Sequence, residues 1–452
     1  MTNPHLNNAG DAPQAAGQAQ HCAKHAPGSD LESTHLKVRR IFAGRFLWVY
    51  VAIVGSLLLR GSVLDFESND YETFLSRWYD HFIEHGRLAG LKDDFSRYPL
   101  LYLYIVSLST LLPIPKLYAI KLFSIVCDYV AAFYTFKIVR LKYPLGPLPY
   151  MAALGLLFLP TVWFNSAVWG QCDVMFAACL LATLLYLIVQ RPLAAMVAFG
   201  IACALKPQAI FFVPLLAGWS LRYRIWIKYL AVPPLVYAVC GLPAMLAGKP
   251  VWEVIFRWAQ HKNAPGGMKQ LTWGATNWYQ WIPNDYYNAF FQTGIVLAFI
   301  ASLFLVLAIV KKLSLRVYSG SLSPSARERV CPHTASTAPA EVPSYATTLV
   351  TAALLSVLIV PYFLPGMHER YFYPADLLSL VYAFFIPRGW VVTLTVQCCS
   401  FFTYLPNLFN LEPVPRQWLA LVMTAVLAWV LICFIKTLIN PLESTLEVKS
   451  QE

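Results

Sequence analysis

At 452 residues, 58% apolar, only 13% charged and with mean hydropathy +0.54, the chain is unlike a soluble domain, in which about a quarter of residues carry charge. Its net charge of +11 does not point to nucleic acid, because Lys and Arg gather beside the ends of apolar runs: Arg39, Arg40 and Arg45; Arg222, Arg224 and Lys228; Lys311, Lys312, Arg316, Arg327 and Arg329. That is the placement expected of cytoplasmic loops, and the ten cysteines include no CxxC pair that would suggest a zinc knuckle or dithiol redox motif.

Residues 1–40 form a Gly/Ala/Gln/Asn-rich polar tail that reads as disordered and cytoplasmic. The fragment His21-Cys22-Ala23-Lys24-His25 inside it is therefore not assigned as a metal site. The first apolar run, about 41–60, reads as a signal anchor with the N-terminus inside. The loop at 61–97 is different in character and holds eight of the 23 acids: Asp65, Glu67, Asp70, Glu72, Asp80, Glu84, Asp93 and Asp94. Tyr71, Phe74, Leu75, Trp78, Phe82 and Ile83 recur there at helical spacing, which predicts a short amphipathic helix lying on the membrane surface.

Apolar segments follow at about 98–113, 118–138, 148–166, 174–190, 193–219 (interrupted at Lys206-Pro207) and 228–247. An aromatic-rich loop, 248–287, carries Trp252, Trp258, Trp273, Trp278 and Trp281 and the turn signal Pro265-Gly266-Gly267. Its tryptophans suit an interfacial belt or a sugar platform. A span at about 288–310 precedes a Ser/Pro/Ala-rich segment, 311–343, read as a flexible cytoplasmic loop. Spans at about 344–364, 374–388, 390–406 and 416–435 complete the membrane part, before a polar tail at 441–452.

The expected fold is all-α: one polytopic membrane domain, 41–440, of about 10–12 transmembrane or re-entrant helices, without an internal repeat. With 311–343 inside, the loop Pro365 to Arg370 and the acidic loop after the first span both lie outside. Three apolar segments separate Tyr98 from Trp169, so either one of them is re-entrant or Trp169 lies inside.

Ionisable groups at membrane depth or at span ends are functional candidates. Asp70, in Ser68-Asn69-Asp70-Tyr71-Glu72, is placed to act as a general base on an acceptor hydroxyl, with a solvated loop acid as the bland alternative. Arg97, in Arg97-Tyr98-Pro99-Leu100, is a phosphate contact or an interfacial anchor. Asn165 to Asp173, with Gln171 between them, and the Lys206-Pro207-Gln208 insertion are polar groups that suit a wet cavity or a structural hydrogen-bond network. In Met367-His368-Glu369-Arg370, His368 and Arg370 offer donors for a phosphate, or snorkel at the interface. His81 and His85 stand four apart beside Asp80 and Glu84, but the polar face of a surface helix accounts for them and no metal is assigned.

Taken together, these motifs resemble the GT-C superfamily of membrane glycosyltransferases. The resemblance covers roughly 60–390 and rests on Asn69-Asp70-Tyr71-Glu72 through Arg77-Trp78, Arg97-Tyr98-Pro99-Leu100, Lys121-Leu122-Phe123 to Asp128, Asn165 to Asp173, and His368-Glu369-Arg370. The endoplasmic-reticulum glucosyltransferases of the N-glycan lipid precursor are similar. The bacterial relatives of the GPI mannosyltransferases are closer, through Trp169-Gly170-Gln171-Cys172-Asp173 and His368-Glu369-Arg370-Tyr371. The chain departs from the glucosyltransferase pattern at Asn69, where a glycine is usual, and at Leu100, where a second proline is usual.

The resemblance implies transfer of a hexose from a polyprenyl-phosphate donor to a glycan or lipid-linked acceptor on the outer face of a membrane, with no cofactor and no nucleic-acid partner. It gives Asp70 the role of base, His368, Arg370 and Arg97 that of donor-phosphate contacts, and Glu72, Tyr98, Gln171, Asp173 and Lys206 that of a sugar or acceptor pocket. The polar tail and compact loops fit a bacterial inner membrane. A transporter or flippase of lipid-linked sugars, which also needs broken helices and polar midplane groups, is the rival class.

Overall fold

A computed structural model describes residues 46–257, 269–319 and 341–439. Both polar tails, the basic residues Arg39, Arg40, Arg45, Arg327 and Arg329, Trp258 and the Pro265-Gly266-Gly267 turn lie outside the described residues. The chain divides into two units, Met1–Val54 and Gly55–Glu452.

The second unit is all-α apart from one two-residue strand pair. Six helical segments are long and apolar enough to cross a membrane: Lys116–Lys142, Lys228–Leu246, Asn284–Lys312, Tyr345–Phe363, Gly389–Phe409 and Arg416–Lys436. The chain is thus a multi-pass membrane protein. In chain order the helices are α1 (Phe46–Gly61), then α2 (Ser76–Glu84), α3 (Leu100–Ser109), α4 (Lys116–Lys142), α5 (Leu148–Phe158), α6 (Pro160–Trp163), α7 (Asp173–Ile188), α8 (Pro192–Leu205), α9 (Val213–Arg222), α10 (Val232–Leu246) and α11 (Val251–Ile255). They continue as α12 (Tyr287–Ser319), α13 (Glu341–Phe363), α14 (Tyr373–Phe385), α15 (Gly389–Phe409) and α16 (Arg416–Ile439). α13 is central, with 89% of its apolar window buried, whereas only 11% is buried for the span that contains α10.

Proline breaks the helices at Pro207, as expected, and at Pro160, inside a segment expected to be continuous, while Pro243, Pro361 and Pro406 stay within unbroken helices. Pro160 interrupts the α5–α6 pair, which bends by 49° and then passes through a π turn at Phe164–Val168. Lys206 is extended (φ −156°, ψ 133°), the conformation favoured before a proline. The expected 193–219 segment is therefore α8, a 3-10 turn at Pro207–Phe212, and α9.

α3 resolves the position of Trp169. Its 10 residues span about 15 Å, half the ~30 Å hydrocarbon core. Both its ends return to the acidic loop. Arg87 Nε donates to Thr110 Oγ1 (2.7 Å) and Ser107 Oγ to the Arg87 carbonyl (3.0 Å), while Lys116, opening α4, donates to both Asp80 carboxylate oxygens at 2.8 Å. α3 is thus short for a crossing, and Trp169 itself meets the acidic loop, its carbonyl accepting from Ser68 Oγ at 2.8 Å and its Nε1 donating to Asp70 at 2.9 Å. Trp169 lies on the same side as Tyr98.

Two expectations change. The surface helix forms as a π turn, Tyr71–Leu75, running into α2, but its apolar stripe does not face lipid. Tyr71, Leu75, Trp78 and Phe82 are buried on protein: Trp78 packs on Tyr98 (4.9 Å between centroids) and Tyr102, and Phe82 on Phe95; only Phe74 and Ile83 stay exposed. The expected loop 311–343 is helical at its two described ends, because α12 runs to Ser319 and α13 starts at Glu341. Helix propagation past an apolar span adds one backbone hydrogen bond per residue.

The remaining long-range pairing ties the aromatic loop to the late polar loop. β1 (Thr272–Trp273) lies parallel to β2 (Met367–His368), with Trp273 opposite His368. Gly274 (φ +91°) and Gly366 (φ +73°) supply left-handed turns beside it.

Candidate active site

Asp70 is the N-cap of the π turn that opens into α2. Its approach is fixed from below: Lys121 of α4 donates from Nζ to the carbonyls of Leu64 (2.8 Å) and Phe66 (2.6 Å). Ser68 Oγ donates to the Trp169 carbonyl at 2.8 Å. These bonds dock the acidic loop against the polar turn between α6 and α7. That turn needs Gly170 for its left-handed backbone (φ +75°); an added Cβ would meet Lys121 and Leu75 only at ordinary contact distance.

One carboxylate oxygen of Asp70 then receives three donors: Trp169 Nε1 (2.9 Å), Gln171 Nε2 (2.6 Å) and Arg370 Nη1 (2.9 Å). Arg370 is 300 positions away in sequence. The other oxygen, Oδ1, takes no hydrogen bond among the described residues, and the side chain keeps 27% exposure. A carboxylate held on one edge by three donors presents its free edge in a fixed direction.

Arg370 is held on three sides. Its guanidinium lies 4.6 Å above the Trp169 ring, a cation–π contact. Glu369 Oε1 sits 3.3 Å from Nε, an ion contact not aligned as a hydrogen bond. Burial pushes the Arg370 pKa down, but the carboxylates of Glu369, Asp173 and Asp70 outweigh it and hold the group above its ordinary range. For Glu369, burial pushes up, while hydrogen bonding from His368 and the Arg370 charge pull harder, so its carboxyl stays below its usual value.

Behind this layer lies a second, closed one. Asp173 accepts from Asn165 Nδ2 (3.0 Å) and from the Lys206 ammonium. Both members of the Asp173–Lys206 pair are at most 5% exposed. Expected in a sugar or acceptor pocket, the two form a buried pair in which each charge neutralises the other. Tyr98 stands over them: burial raises its pKa, and the Lys206 and Arg370 charges offset part of that. Arg257 Nε donates to the Tyr98 carbonyl (2.7 Å) and its Nη2 to that of Ser96, which pins the re-entry segment in place.

The expected site residues separate accordingly. Asp70, Gln171 and Arg370 meet directly. His368 stacks on Trp273 (5.6 Å, 10° between planes) at the rim and is 39% exposed. Arg97 is half-buried at the re-entry and is not among the donors to Asp70. Glu72 is exposed on the outer side of its turn and makes no side-chain hydrogen bond or ion pair among the described residues. Trp169, Glu369 and Trp273 belong to the site although residue type alone did not single them out as ligands. Each adjoins a polar candidate in sequence or across the β1–β2 pairing, which was the available signal.

A deeper ion pair joins α1 to α4. Arg60, at the end of α1, donates from Nε to Asp128 Oδ2 (2.9 Å), which also accepts from Ser166 Oγ (2.6 Å); the two charged side chains are 1% and 0% exposed. The arrangement offers a directed carboxylate beside a fixed guanidinium, open to one side. No family model matches the chain, and no curated protein matches its sequence.

Proposed function

We propose that the chain is a membrane glycosyltransferase that moves a hexose from a polyprenyl-phosphate donor to a lipid- or envelope-associated acceptor. The reaction takes place on the non-cytoplasmic face of a bacterial inner membrane. The observation that carries this reading is the meeting of Asp70 with Arg370, a base and a phosphate-binding cation drawn together from opposite ends of the chain.

In this reading the acceptor hydroxyl approaches the free edge of Asp70 and gives it a proton as its oxygen attacks the anomeric carbon. The bond from that carbon to the phosphate oxygen breaks on the opposite side, and polyprenyl phosphate leaves with the electron pair. The configuration inverts. Arg370, with His368 at the rim, stabilises the charge that grows on the leaving phosphate. Arg suits this task because its planar fork binds phosphate bidentately. Without donor the guanidinium is spent on Asp70; an arriving phosphate competes for it. Trp169 and Gln171 keep the carboxylate aimed while Arg370 shifts. Glu369 and Trp169 limit how far Arg370 travels.

The test is reconstitution into vesicles with a panel of polyprenyl-phosphate hexoses and a lipid-linked acceptor, comparing wild type with Asp70→Asn. Loss of transfer by about 100- to 10,000-fold, the usual worth of a general base, with donor binding retained, supports the assignment. Transfer that survives the substitution removes Asp70 as the base. Movement of the donor across the bilayer without transfer, in wild type, replaces the reading with a flippase.

A further inference from the structure

The first turn after α2 carries a second cluster that the transfer chemistry does not use. His81 and His85 lie four apart on one helix, so their rings share a face. The chain then doubles back. Gly86 takes a left-handed turn (φ +86°), Gly90 N–H donates to the Gly86 carbonyl at 2.8 Å, and the 3-10 turn Ala89–Lys92 follows. This return places Asp93 Oδ2 3.3 Å from His81 Nε2. Asp80, the acid nearest in sequence, is already engaged by Lys116 and plays no part.

We infer that His81, His85 and Asp93 form a binding site for one divalent transition metal of the zinc class, which clasps the external loop. One ligand atom from each residue lies within 4.8 Å of the others. Ligands on a tetrahedral zinc ion sit about 3.4 Å apart, given bonds of about 2.0–2.1 Å, so the exposed His85 ring must leave its stack on His81 and turn its edge toward the ion to close the site. The His85 tautomer is already suitable, whereas His81 must give up its Nε2 proton, which faces two acceptor oxygens, when a metal binds. His85 Nδ1–H donates to the His81 carbonyl (3.3 Å), which leaves the Nε2 lone pair free. A backbone carbonyl on the second ring nitrogen is the usual way a metal-binding histidine is oriented. At His81, Nε2 faces two oxygens at once, Asp93 Oδ2 and the Gly90 carbonyl at 3.1 Å. A cation at that point satisfies both, where a single N–H satisfies one.

Two of the three ligands, His81 and Asp93, are also held in place before any ion arrives. The His81 ring is stacked between His85 (4.4 Å, 15°) and Phe95 (3.8 Å, 19°). Asp93 is fixed through its main chain, its N–H donating to Gly90 and its carbonyl accepting from Lys249 Nζ at 3.1 Å. Two imidazoles and one carboxylate favour zinc, nickel or cobalt over calcium or magnesium, which take oxygen ligands. The fourth position is left to water or the Gly90 carbonyl. Such an ion joins the end of the helix that Asp70 opens to the strand of chain leading into Tyr98. It acts on loop stability and makes no contact with the reacting atoms.

Zinc titration calorimetry on chelator-treated, full-length protein in detergent tests the site, with cobalt absorption as a second readout of tetrahedral coordination. Wild type is expected to bind one equivalent and to rise in Tm with zinc. In His85→Asn and in Asp93→Asn the affinity is expected to fall at least about 100-fold and the Tm response to vanish. Both side chains are at least partly exposed, and unliganded Tm values near wild type establish that the variants fold. Asp70→Asn is expected to bind zinc as wild type does, which separates this site from the transfer reading. Absence of saturable binding in wild type, or wild-type affinity in both variants, overturns the proposal.

Discussion

At the scale of single residues the site is built from shared use of a few charges. Asp70 Oδ2 takes three donors, and the one from Trp169 is separable from the packing of its ring. Hydrogen bonds to charged groups contribute about 1.5–3 kcal/mol, so Trp169→Lys is not the informative change; Trp169→Phe is, because it keeps the ring under Arg370. Transfer is expected to fall by about 10- to 100-fold with Tm little changed, and steady-state kinetics on the reconstituted protein check this. The Arg60–Asp128 pair makes a different demand. Removing one buried partner strands the other charge, at about 3–5 kcal/mol. Asp128→Ala is expected to lower the unfolding free energy by that amount, and the Arg60→Met, Asp128→Leu double variant to recover much of it; denaturation in detergent decides. Glu369 gives a pH signature. Its carboxyl is held below the ordinary value of 4.5, so its contribution is fully present above that value and is lost as pH falls below it and through the depressed value. Wild type is expected to lose Tm over that acid range, and Glu369→Gln to lack this component of the pH dependence.

At the scale of elements, the proline effects at Pro99 and Pro207 were legible, and the partners of apolar stripes were not. Pro207 and Pro99 mark a helix break and a helix start from chemistry internal to the backbone, and Pro160 does the same within the segment 148–166, where no break was expected. Gly170 carries a requirement of the same kind. Gly170→Ala is expected to cost about 1–2 kcal/mol from the left-handed backbone alone, and to lower transfer because the Trp169–Gln171 turn shifts; paired Tm and activity measurements test both. The stripe on α2 had the right period for a membrane-surface helix, yet its occupant is protein: Tyr98 and Phe95 come from residues that the periodicity of α2 does not describe. The length of α3 yields a topological expectation. In a cysteine-free background, Leu111→Cys is expected to react with an impermeant maleimide from the same side as Glu72→Cys. Labelling from opposite sides would mean that α3 crosses.

For the whole molecule, the sequence by itself determined that this is an all-α, multi-pass membrane protein, where its apolar helices begin and end within a few residues, and which polar clusters interrupt them. These follow from local physics: the length of apolar run that a bilayer demands, and the backbone limits of proline and glycine. Only the tertiary structure decided that the end of α3 meets the acidic loop at Arg87, that Trp169 shares a side with Tyr98, that Asp173 and Lys206 neutralise each other, and that Glu72 stays exposed while Glu369 is buried. Each of these depends on which residue lies opposite another across the fold. A bilayer constrains every span alike and says nothing about which charges will meet; that is settled by packing among helices far apart in the chain, as in the contact between Asp70 and Arg370.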